Sequence, residues 1–235
     1  MSVIPLSWPN LAEDDIQAVV EVLRSGRLSF GARQTQFEQL VSQRAQCAHG
    51  IAVSNATAAL HLVLLALGIG PGDEVITTPF SRIATANAIL YVGAKPIFVD
   101  IDPVSLNMDP KQIESAITPR TKAVLGGEIF GNPIHIEKIA QIAGANDLPL
   151  IEDATEALGG MYLNKPTGSF GRVGIFGFHA SKQVTTGEGG VIVTDDERLA
   201  ELVRTLRNHG RPDWVPSGYI HTSHELVPTL RHDRL

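Results

Sequence analysis

Short, unbroken apolar runs alternate with amphipathic segments along this chain, and this alternation limits its fold more than any other feature. Ile97-Phe98-Val99 and Leu148-Pro149-Leu150-Ile151 show no polar alternation. A strand that is apolar on both faces has to be covered on both faces, as in a parallel sheet between helices. Strands are expected at 50–54, 74–77, 96–99, 123–126, 149–152, 173–178 and 190–194. Apolar residues at helical spacing predict helices at 11–23, 34–45, 58–67, 83–92, 110–116, 134–145 and 197–208. The fold class that follows is α/β, a three-layer sandwich with a mostly parallel central sheet.

Composition narrows the function. The chain has 235 residues, enough for one large domain or two small ones, and is 43% hydrophobic. Its net charge is −6 and its basic residues are scattered, so no stripe argues for nucleic acid. The one cysteine, Cys47, permits no intrachain disulfide and reads as a small buried hydrophobe rather than a nucleophile. Residues 1–10 lack the basic-then-apolar layout of a signal peptide, and the longest apolar run, 60–70, is too short to span a membrane. A soluble, cytoplasmic protein is expected. Residues 1–211 read as one large domain that includes the N-terminal helices of 11–48, and 212–235 as an irregular tail. His221, His224 and His232 fall in that tail without carboxylate or cysteine ligands at fitting spacing, so no metal site is expected.

Three places carry chemistry. Lys182 stands between the apolar run of 173–178 and the turn Thr185-Thr186-Gly187-Glu188-Gly189-Gly190. An amine held at the end of a buried strand is a candidate nucleophile for Schiff-base chemistry. Asp153 ends the strand Leu150-Ile151-Glu152-Asp153, where ligands of open parallel sheets bind. It reads equally well as the N-cap of a following helix. Glu156, one helical turn further on, reaches the same site or completes a capping box. Ser54-Asn55-Ala56-Thr57 joins a strand to a helix, and free amides there with the helix dipole suit a phosphate. Together the three match pyridoxal 5′-phosphate: a helix N-terminus for its phosphate, a carboxylate for its ring nitrogen, and a lysine for its aldehyde.

At these residues the sequence resembles the DegT/DnrJ/StrS-type nucleotide-sugar aminotransferases, which are fold type I pyridoxal phosphate enzymes. The resemblance runs from about Ile4 to Arg211. It rests on Val53-Ser54-Asn55-Ala56-Thr57-Ala58-Ala59-Leu60-His61-Leu62, Gly70-Pro71-Gly72-Asp73-Glu74-Val75-Ile76-Thr77-Thr78-Pro79-Phe80 and Gly93-Ala94-Lys95-Pro96-Ile97-Phe98-Val99-Asp100. It rests equally on Ile151-Glu152-Asp153-Ala154-Thr155-Glu156-Ala157-Leu158-Gly159, the lysine segment, and Arg207-Asn208-His209-Gly210-Arg211. It implies that Lys182 is the Schiff-base lysine and proton shuttle, that Asp153 pairs with the ring nitrogen, and that Ala56 and Thr57 donate to the phosphate. Glu156 falls where many members have glutamine, near the ring hydroxyl. The implied reaction aminates a nucleotide-linked keto sugar with glutamate or glutamine as donor, in a homodimer.

The chain departs from that pattern in three places. Arg82 falls at the ring-stacking position, which is aromatic in many relatives. Gly177 replaces a frequent phosphate-binding serine, for which Ser181 is the candidate substitute. Relatives continue into a smaller C-terminal domain, and nothing after Arg211 matches it clearly, so a fragment, a truncated gene or a chain with a diverged tail is expected. Two other functions compete with the aminotransferase. One is a sugar dehydratase, whose members carry histidine in place of the lysine. The other is a truncated remnant that binds the cofactor weakly or not at all.

Overall fold

The computed structural model describes Pro5 and residues 7–211. Helices α1 (Glu13–Ser25) and α2 (Ala32–Arg44) lead into β1 (His49–Val53), α3 (Ala56–Ala66), β2 (Glu74–Thr77), α4 (Ile83–Tyr91) and β3 (Lys95–Phe98). Then come α5 (Pro110–Ala116), β4 (Thr121–Gly127), α6 (Ile136–Ala145) and β5 (Leu150–Asp153). A short hairpin, β6 (Met161–Tyr162) and β7 (Lys165–Pro166), precedes β8 (Val173–Gly177), β9 (Gly190–Thr194) and α7 (Glu197–Arg207). Polar caps set several of the helix starts. Asn55 accepts from the Ala58 amide at 2.8 Å to open α3, and Asp196 accepts from Leu199 at 2.9 Å to open α7.

Seven strands form one sheet in the order β1-β9-β8-β5-β4-β2-β3. Each neighbouring pair from β8 to β3 is parallel. Strand β9 runs antiparallel to both β1 and β8, so β1 points the same way as β8. Side chains alternate across the sheet. Leu125, Ile151, Ile175 and Ile192 enter one core with Leu60, Val63 and Leu64 of α3 and with Leu199 and Val203 of α7. Val124 and Leu150 face the opposite side, with Ile113 of α5 and with Ile136 and Ile139 of α6. Phe176, Val191 and Val193 pack against Val41 of α2. The expected three-layer α/β sandwich is the fold.

The Ile97-Phe98-Val99 run does not form a doubly covered strand. Among the described residues strand β3 is the edge of the sheet and pairs with β2 alone, which leaves Phe98 50% exposed. An edge also tolerates Pro96, which cannot donate to a ladder. The β6–β7 hairpin, two residues to a strand, is too short to leave a periodic signal. Helix α1 forms where predicted but buries none of its residues, and Ile16, Val19 and Leu23 stay exposed. Among the described residues no helix is long and apolar enough to cross a membrane. The tail of 212–235, with His221, His224 and His232, lies outside the described residues.

Gly174 in β8 lies against the Gly168 backbone, where a Cβ would overlap the Gly168 carbonyl. Both partners are backbone and neither yields easily. Gly174→Ala is therefore expected to destabilise the fold by about 1–3 kcal/mol, read from the midpoint of urea unfolding.

Candidate active site

Strands β1, β2, β5 and β8 end on the same side of the sheet, and each delivers a candidate residue there. After β1 the chain turns through Ser54 and Asn55 into α3, so Ala56 and Thr57 are its first two residues. Neither amide has an acceptor among the described residues. Strand β9 passes close to this turn, because a Cβ on Gly190 would lie 2.6 Å from the Asn55 carbonyl carbon. Ala56, Thr57, Arg82, Asp153, Ser181 and Lys182 all line one cavity of about 260 Å³. Glu156 joins them through ion pairs to Lys182 and Arg82.

Asp153 closes β5 and accepts from the Thr85 hydroxyl and the Thr155 amide, each at 3.3 Å. The residues after it form turns rather than a helix. Asp153 therefore caps no helix, and Glu156 is neither a capping-box partner nor one helical turn away. Burial pushes the Asp153 carboxyl up, against the donors Thr155 and Thr85 and the charge of Lys182. A cation placed against it would be stabilised in return.

The Lys182 side chain is 8% exposed, and its amine donates to Glu156 Oε1 at 3.0 Å. The Arg82 guanidinium donates to the same oxygen at 2.9 Å. Burial raises the Glu156 carboxyl, but the hydrogen bonds from Arg82 and Lys182 and their charges outweigh it, so its pKa falls below the ordinary value. Ser181 Oγ lies 2.9 Å from His179 Nδ1, which also accepts the Ser181 amide at 3.1 Å. At Gly177 a Cβ would lie 3.3 Å from Thr155 and 3.6 Å from Ala56, so the wall is closely packed there.

The model of the DegT/DnrJ/EryC1/StrS aminotransferase family matches residues 9–224. The chain belongs to this family. It is 44% identical over 207 residues to the spore coat polysaccharide biosynthesis protein SpsC of Bacillus subtilis, covering 88% of this chain and 53% of SpsC. Among solved structures it is similar to DesI in the presence of its TDP-sugar product, with a TM-score of 0.78 at 39% identity, covering 83% of this chain and 50% of DesI. It is also similar to NtdA of Bacillus subtilis with bound cofactor PMP, with a TM-score of 0.82 at 35% identity, covering 90% of this chain and 49% of NtdA. The chain spans about half the length of these relatives.

The residues present fit the family's cofactor, pyridoxal 5′-phosphate. Two unpartnered amides at a helix start suit a phosphate, a buried carboxylate suits a protonated ring nitrogen, and a nearly dry amine suits an aldehyde. Sequence reasoning missed Thr85, Thr155, His179 and Glu188, which also line the cavity. Thr85 was detectable, being three residues beyond Arg82 at the same helix start. It also missed Glu128, which is buried beside Glu152 and has its carboxyl pushed up to about 10, by burial first and by the Glu152 charge second. Burial also pushes the Glu152 carboxyl up, and the Gly168, Phe170 and Gly171 amides that it accepts oppose that rise. Burial pushes the Cys47 thiol up to about 12, with Asp195 and Glu152 adding to it, which keeps it a poor nucleophile.

A depressed carboxyl adds stability above its unfolded pKa and loses it as pH falls through the folded value. The Glu156 contribution is therefore complete above the ordinary glutamate value of 4.5 and is lost as pH falls through the lower folded value. The melting temperatures of wild type and Glu156→Gln are expected to differ at pH 7 and to converge at strongly acid pH. Parallel curves across the whole range would show that the Glu156 charge does not contribute.

Proposed function

We propose that residues 1–211 form the cofactor-binding domain of a pyridoxal phosphate-dependent aminotransferase. It would transfer an amino group from glutamate or glutamine to a nucleotide-linked keto sugar. The observation that carries this reading is one cavity in which Lys182, Asp153 and the free amides of Ala56 and Thr57 meet. The DesI structure, described with a TDP-sugar product, and the polysaccharide role of SpsC support a sugar substrate.

Each side chain then has a defined task. Ala56 and Thr57, aided by the α3 dipole, bind the phosphate, and Ser181 adds a hydroxyl near it. Asp153, oriented by Thr85 and Thr155, keeps the ring nitrogen protonated. Bound there, the cofactor supplies an electron sink. Lys182 Nζ holds the cofactor and moves a proton to and from the reacting carbon. Arg82 lines the same cavity, and its guanidinium pairs with Glu156. The presence of Lys182 disfavours the dehydratase alternative, whose members carry histidine there. We further propose a homodimer, as the family resemblance implies, and a cytoplasmic location.

The test is spectroscopic. Purified protein mixed with pyridoxal phosphate is expected to develop a visible absorption band that Lys182→Ala lacks and that glutamate converts to the pyridoxamine form. Asp153→Asn is expected to keep the fold and slow that conversion about 100-fold or more. A colourless protein that takes up no added cofactor would overturn the reading, and near-normal conversion in Asp153→Asn would overturn the role given to that residue.

A further inference from the structure

One carboxylate oxygen beside the cavity serves two cations. Glu156 Oε1 accepts from Lys182 at 3.0 Å and from Arg82 at 2.9 Å. The other oxygen accepts the Phe130 amide at 3.1 Å, and Gln183 donates to the Glu156 backbone carbonyl at 2.8 Å. The Glu156 side chain is 25% exposed and that of Arg82 is 66% exposed. Arg82 thus reaches from solvent to a carboxylate that faces a nearly dry amine. Lys182 neutralises Glu156 only as an ammonium, whereas a reacting amine is neutral. Any use of Lys182 as a nucleophile therefore withdraws one of the two cations. A largely buried carboxylate left without a counter-ion is unfavourable.

From this geometry we infer that Arg82 is a positioning residue for Glu156. It is the permanent counter-ion that keeps Glu156 ionised and in place while Lys182 is released to the cofactor. The inference rests on the pyridoxal phosphate reading above. It also joins two positions that the sequence pattern leaves unrelated. Arg82 alone would set a cation, and Glu156 alone an anion, against the cofactor ring. As a pair they are neutral.

The test is a double-mutant cycle on cofactor affinity. Pyridoxal phosphate is titrated by absorbance into wild type, Arg82→Phe, Glu156→Gln and the double variant. Arg82→Phe is expected to weaken binding about tenfold, between the values for exposed and buried unpaired charges. Adding Glu156→Gln is expected to restore affinity to within about threefold of Glu156→Gln alone, because contacting residues are not additive. In the cofactor-free protein Lys182 still neutralises Glu156, so Arg82→Phe is expected to lower the melting temperature by no more than about 2 °C. Should Arg82→Phe fail to fold, Arg82→Lys keeps the charge and is expected to bind within about threefold of wild type. Unchanged or tighter binding by Arg82→Phe, additive effects in the double variant, or a tenfold loss in Arg82→Lys would each overturn the inference. Those results with a cofactor-binding wild type reject this inference alone; a wild type that takes up no cofactor rejects the underlying reading as well.

Discussion

The site exists because strands of one direction end together. Strands β1, β2, β5 and β8 are far apart in sequence, yet their carboxyl ends share one side of the sheet. Each therefore releases its following residues into the same space. The reversed strand β9 completes the arrangement. It begins where β8 and β1 end, so Gly190 pairs with both Gly177 and Val53. The loop between β8 and β9 is thus anchored at both ends beside the α3 turn, and Lys182 lies within it. The lysine is positioned by main-chain pairing on either side rather than by its own contacts alone.

Two carboxylates within this space are treated in opposite ways. Asp153 has hydroxyl and amide donors and a pKa raised by burial, so it awaits a cation. Glu156 has two cations in contact and a lowered pKa, so its charge is already satisfied. The contrast separates a group able to bind a charged ring nitrogen from one that organises its neighbours. It also divides labour among the cations. Arg82 is mostly exposed, whereas Lys182 is nearly dry and lines the cavity.

Much of this was legible in the sequence. The alternation of apolar runs and helical segments specified the layers, and Lys182, Asp153, Ala56 and Thr57 were identifiable from their places at strand ends. What escaped reading was what depends on neighbours across the sheet. Edge position exposes Phe98, and no local pattern says which strand is an edge. Asp153 followed by a polar residue and an acid resembled a helix start, but the chain turns instead so that the Glu156 side chain meets Lys182 and Arg82. Thr155 and His179 enter the cavity only through tertiary packing. Glu128 was unremarkable as a letter, and its carboxyl is pushed up by burial first and by the Glu152 charge second.

Strand β5 carries adjacent acids with unrelated duties. Glu152 points to one face and holds the loop of 168–171 by three backbone amides, while Asp153 turns toward the cavity. Side chains in a strand alternate with a period of two, so a slip of one residue would exchange the two acids. Asp153 would then be too short for a loop spaced to suit a glutamate, and Glu152 would crowd the cavity with an extra methylene. The loop thus acts as a lock on strand register, and an acid with no part in chemistry guards the placement of the one beside it.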